Sequence, residues 1–129
     1  MTDDRQARRL THCATGWSPA VTGAATIGGE LARMVRADGY VWTVDQVLTD
    51  GDRCAAALEW TVFRGPQGGV TRGVDWVVFE PRTWHIREVR PYHASPLPVD
   101  AARHELLGFD YAGRGYPTTL AAHRAASDP

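Results

Sequence analysis

The sequence predicts an α+β domain, a curled antiparallel sheet packed on N-terminal helices. Three observations lead there. Over residues 23–38 the apolar residues recur at helical spacing, and after Gly39 the period changes to two. Four β-type runs then follow one another with short turn segments between them, which makes a meander and not a βαβ sheet. At 129 residues and 14.2 kDa the chain has room for one domain, 1–129, with 95–129 as a C-terminal extension of it.

Residues 2–14 (TDDRQARRLTHCA) read as a helix, because Thr2 can cap it and Asp3 and Asp4 complement the positive end of its dipole. Gly16 and Pro19 punctuate a loop or short extended stretch over 15–22. From Gly23 to Asp38, Ile27, Leu31, Met34 and Val35 form one helical stripe, and Gly39 supplies the stop. The runs Tyr40–Leu48, Arg53–Phe63, Val70–Glu80 and Trp84–His93 are strands, separated by TDGD at 49–52, GPQGG at 65–69 and EPRT at 80–83. A short helix is expected around 99–106. A helical end is expected near 118–126, with Pro117 at its first turn. Four long strands are enough to curl, and a curled sheet closed by helices encloses a pocket.

Composition narrows the function. A net charge of -1 and a pI near 6.5 provide no basic field for phosphate backbones, so no nucleic-acid partner is expected. No apolar run reaches the ~20 residues of a membrane span, and the start MTDDRQARRL has no signal-type apolar core, so the expectation is a soluble, cytoplasmic protein. All cations are arginines, which leaves no lysine for a Schiff base or a general base. Cys13 and Cys54 read as free thiols. No metal is expected, because strand alternation puts Glu88 on the face opposite His85 and His93, and Cys13 beside His12 lacks a second ligand at zinc-type spacing. The glycine segments match no phosphate or dinucleotide loop, so no cofactor is expected either.

The residue with most chemical content is Asp75, inside Val74-Asp75-Trp76-Val77-Val78-Phe79. Apolar neighbours on both faces desolvate its carboxylate and raise its pKa toward that of a useful base or acid. The competing reading is half of a buried ion pair with Arg72 or Arg90. Glu59 shares a face with Ala57, Thr61 and Phe63 and is a possible partner for Asp75 across the sheet, or else a residue held by an arginine. His93, at the end of the last strand, is a candidate general base, and Tyr92 and Tyr40 are candidate phenol donors to an oxyanion. Against these stand a hydrogen-bonded surface histidine and ordinary aromatic packing. Trp42, Trp60 and Trp76 occupy even positions of their strands. They line a pocket for a ring-bearing ligand if inward, and form the hot spots of a sheet–sheet dimer if outward.

GAATIGGELARMV, then the four-strand meander with RGVDWVVFE and IREVRPYHA as its last strands, and the ending HELLGFDYAGRGYP together resemble the nuclear transport factor 2-like superfamily over residues 17–117. That group includes SnoaL-like polyketide cyclases, ketosteroid isomerases and limonene epoxide hydrolases. The resemblance implies a cone-shaped α+β barrel with an internal pocket, usually dimeric through the outer sheet face. Members usually carry a longer segment before the Gly-opened helix, so a more open cone, or a cover from another chain, is expected here. Cyclases and epoxide hydrolases of the group commonly place an Asp at the end of the last strand. Here that ending is Arg90-Pro91-Tyr92-His93-Ala94, with Ala94 in the acid's place. The expected activity is cofactor-independent proton transfer (isomerisation, cyclisation or dehydration) on a hydrophobic oxygenated small molecule. Asp75, His93 and Tyr92 would carry the chemistry, and Trp42, Trp60, Trp76, Tyr40, Glu59 and Arg90 would hold the ligand. The alternative is a non-catalytic binding or dimerisation subunit. A homodimer is expected, or a heteromer in which a partner supplies a helix.

Overall fold

The computed structural model describes residues 11–12, 21–65, 68–94, 102–106 and 108–128. Helix α1 covers Ala24–Asp38 and stops at Gly39, whose left-handed backbone (φ 68°) returns its N–H to the Met34 carbonyl. Strand β3, Tyr40–Asp50, begins at the next residue. Strands β4 (Ala55–Arg64), β5 (Gly69–Phe79) and β6 (Ile86–His93) complete the antiparallel meander.

Three two-residue strands extend it. β1 (Thr11–His12) lies parallel to β6 and antiparallel to β2 (Val21–Thr22), and β7 (Arg103–His104) lies parallel to β5 at Val70 and Thr71. The order across the sheet is β2-β1-β6-β5-β4-β3. Two expectations are corrected here. Thr11–His12 pair as a strand instead of ending a helix, and the rest of the helix expected over 2–14 lies outside the described residues. Arg103–His104 also pair as a strand where a helix was expected over 99–106, because β6 stops opposite Gly73 and leaves the first part of β5 unpaired on that side. The C-terminal helix α2 spans Leu120–Ser127, capped by Thr119 Oγ1, which accepts from the Ala122 N–H at 3.1 Å. Pro117 therefore precedes the cap, outside the first turn.

α1 joins β2 at one edge of the sheet to β3 at the other. Fifteen residues of helix run about 22 Å, close to the ~24 Å width of the six-strand path. Its stripe is only partly covered: Ile27 is buried, whereas Leu31 and Val35 are exposed. At the other end of β4, Gly65 (φ +70°) admits no side chain, because a β-carbon there would lie 2.8 Å from the Asp38 carbonyl oxygen.

Cross-strand partners share a face. One face carries Phe63 and Val70, Thr61 and Arg72, Glu59 and Val74, Ala57 and Trp76 in successive rows. The other carries Val62 and Thr71, Trp60 and Gly73, Leu58 and Asp75, Ala56 and Val77. Phe63, Val70 and Thr61 are the most deeply buried side chains. What buries the Thr61 face is the C-terminal segment, pinned to it by Arg72. That guanidinium donates to Thr61 Oγ1 (2.8 Å), Glu105 Oε2 (2.9 Å) and the Pro117 carbonyl (2.9 Å). His123 of α2 stacks on Phe63 with ring centres 6.2 Å apart.

Candidate functional site

On the Trp60 face, β4, β5 and β6 converge on three groups. Trp60 is buried, and its indole Nε1–H donates to Asp75 Oδ1 at 2.8 Å. Gly73, directly across the ladder, makes room for this indole: a β-carbon at 73 would lie 2.5 Å from Trp60 Cζ2. His93, across from Gly73 on β6, meets the Trp60 ring edge-on, with centres 5.7 Å apart. A half-buried carboxylate is thus oriented by a neutral donor, with an imidazole on the same face.

Several expected groupings are corrected by register. Glu59 stands across from Val74 and Asp75 across from Leu58, so the two carboxylates lie on opposite faces and are not partners across the sheet. Tyr92 is opposite Val74 and exposed, on the face away from Asp75. Arg72 and Arg90 are also on that face. Arg72 pairs with Glu105 at 2.9 Å and Arg90 with Glu88 at 2.8 Å, so neither is the expected ion-pair partner of Asp75. Trp76 likewise points away from Asp75, with Arg90 over its ring at 5.9 Å. Tyr40 and Trp42 share the Trp60 face and contact each other at 5.5 Å. Their end of the sheet is distant, however. The Trp42 row meets β5 at Thr71, about 13 Å along the strand from Asp75.

The Thr61 face holds a second polar group that the sequence did not single out. β3 has a bulge between Val44 and Gln46. Asp45 accepts from Thr43 Oγ1 (2.6 Å) and Thr61 Oγ1 (2.7 Å), and Gln46, the next residue, turns to the same face opposite Glu59. Tyr116 donates from its hydroxyl to Glu59 Oε2 at 2.6 Å and accepts from Gln46 Nε2 at 3.0 Å. The Glu59 hydrogen bond, burial and the nearby charges of Glu59 and Asp45 push the Tyr116 phenol above its ordinary pKa. Glu59 is thus held by a phenol and not by an arginine. Between the bulge and the tail lies a cleft of about 440 Å³, lined in part by Asp45, Gln46, Tyr116, Arg114, His123 and Ala122.

No family model matches the chain, and no curated protein does. A crystal structure of a protein from Methylobium petroleophilum PM1, of unknown function and with a cystatin-like fold, is 39% identical to it. The match covers 85% of this chain and 74% of that one, with a TM-score of 0.65. The chain belongs to that protein's family. Membership carries the α+β architecture, a curled antiparallel sheet with an N-terminal helix, and no activity. Among the described residues no three His, Cys, Asp or Glu side chains are grouped to hold a metal ion, and no helix is long and apolar enough to cross a membrane.

Proposed function

We propose that this family member is a cofactor-independent proton-transfer enzyme of the SnoaL-like type, acting on a hydrophobic oxygenated small molecule at the Trp60 face. The observation that carries the reading is the 2.8 Å bond from the Trp60 indole to Asp75, because it fixes a half-buried carboxylate in one orientation. Asp75 takes a proton from carbon beside a ligand carbonyl and returns it at another position. His93, on the same face, supplies a donor for the developing oxyanion. A cystatin-like fold supports a barrel of the nuclear transport factor 2-like kind, which it resembles.

The test is solvent exchange. Wild-type protein should wash deuterium from D2O into cyclic enones beside the carbonyl, and Asp75→Asn should slow this by ~10²–10⁴-fold with the melt unchanged. No exchange by the wild type across such a panel, or equal rates for the variant, overturns the reading.

Ala94 favours a second reading, a non-catalytic subunit binding the same class of ligand. Its backbone N–H closes the ladder on the Arg72 carbonyl at 2.9 Å where related enzymes would place an acid. Under that reading ligand binding survives in Asp75→Asn and exchange is absent in both proteins. We also propose a homodimer, with the exposed Leu48, Trp76 and Tyr92 at its interface.

A further inference from the structure

We infer that the cleft on the Thr61 face is a second ligand site, one that takes a small zwitterion with an ammonium and a carboxylate group on an apolar body, as in an apolar amino acid. Its volume of about 440 Å³ falls within the ~300–1,000 Å³ of small-molecule sites. The β3 bulge builds it. A regular strand would send consecutive residues to opposite faces, whereas here Asp45 and Gln46 both reach the Thr61 face.

The charges in the cleft are of both signs and are not spent on each other. Among the described residues, Asp45 accepts hydrogen bonds only from the neutral hydroxyls of Thr43 and Thr61 and forms no ion pair. Each of its oxygens accepts one such bond, and a carboxylate oxygen has capacity for two. Arg114 stacks on Phe109, its guanidinium carbon 4.4 Å from the ring centre, and likewise forms no ion pair among the described residues. The Tyr116 phenol is raised first by its hydrogen bond to Glu59, then by burial, and to a smaller degree by the charges of Glu59 and Asp45. Asp45 suits an ammonium, Arg114 a carboxylate, and Pro117, Ala122 and Ala126 an apolar body. A simple cation would leave Arg114 unmatched, and a simple anion would leave Asp45 so.

The experiment is an NMR titration of the full chain with L-phenylalanine and L-leucine to about 10 mM, followed at the Gln46 side-chain amide and the Ala122 and Ala126 signals. Phenethylamine and 3-phenylpropanoate, each with one charge only, should bind about tenfold or more weaker than phenylalanine. Asp45→Asn should weaken phenylalanine about tenfold and leave 3-phenylpropanoate unchanged. Arg114→Met, on an exposed side chain, should weaken phenylalanine similarly and leave phenethylamine unchanged. Asp75→Asn, on the opposite face, should leave all three affinities as they are, which separates this site from the proton-transfer reading. Silence of those signals with both amino acids overturns the proposal. So does retention of phenylalanine affinity in both cleft variants, or one-charge analogues binding as tightly as phenylalanine.

Discussion

The guanidinium of Arg72 lies 3.9 Å from the centre of the Tyr111 ring. Arg72 is on the central strand β5 and Tyr111 is on the C-terminal segment, and both are buried. The contact completes a cage whose other walls are Thr61, Glu105 and the Pro117 carbonyl. One buried cation thereby fixes the position of Tyr116, and with it the outer wall of the cleft.

Arg72→Met should be strongly destabilising. It leaves the Pro117 carbonyl without its donor and removes the buried partner of Glu105. Stranding a fully buried charge costs ~3–5 kcal/mol, and the loss here should fall toward the lower end because Arg103 still pairs with Glu105 at 2.6 Å. Arg72→Lys keeps the charge but not the fork, so it should recover only part of that. Urea unfolding measures both. A loss under ~1 kcal/mol for the methionine variant would show that the cage is not what holds the tail.

Glu105 makes stability depend on acid. Hydrogen bonds from Arg103 and then Arg72 hold its carboxyl below its ordinary value of 4.5, against the opposing effect of burial. Its folded pKa is lower than its unfolded one, so its contribution is present above about pH 4.5 and is lost as pH falls through the lowered value. Glu105→Gln should be less stable than wild type at pH 7, and the gap should close on acidification. Parallel stability profiles between pH 7 and 3 would refute this.

Gly73→Ala tests the seat of Trp60. The added β-carbon would meet Trp60 Cζ2 and the Tyr92 carbonyl oxygen, each at 2.5 Å. Overpacking of this kind costs ~1–3 kcal/mol. The indole has to move, so the Trp60 Nε1–H proton resonance should shift toward that of an indole without a carboxylate acceptor. Wild-type stability with an unmoved resonance would mean that the glycine is not required.

The homodimer is tested by mass. Leu48 and Trp76 belong to one row of the Thr61 face and Tyr92 to the next, and all three side chains are exposed. Light scattering at micromolar concentration should give about twice 14.2 kDa, and Trp76→Glu should bring it to the monomer value, since buried aromatics dominate such interfaces. A monomer mass for the wild type rejects the proposal.

The long elements were legible in the sequence. α1 and the four meander strands declared themselves through period and through turn residues such as Gly39 and Thr49-Asp50-Gly51-Asp52. The face of each residue within its own strand was legible too, as with Glu59 beside Thr61. Register between strands was not. Trp42, Trp60 and Trp76 all have even numbers, yet pairing Leu58 with Asp75 sends Trp76 to the opposite face from Trp60. Two-residue strands such as Arg103–His104 are too short to show any period, and their pairing depends on a vacancy beside β5. Asp45 and Tyr116 were missed for a related reason. Their proximity depends on the bulge and on the buried arginine, and neither leaves a local pattern.

β3 and β4 pair from Tyr40 with Arg64 to Asp50 with Ala55, eleven residues against ten. The surplus is a single residue, and it is Asp45. A change of length can therefore do what no exchange of side chains can. Removing position 45 would restore one-for-one pairing along the whole hairpin, with every later residue of β3 keeping its partner. Homologous chains with and without this polar wall would then differ by a gap of one in alignment, while the strands around it stay in step.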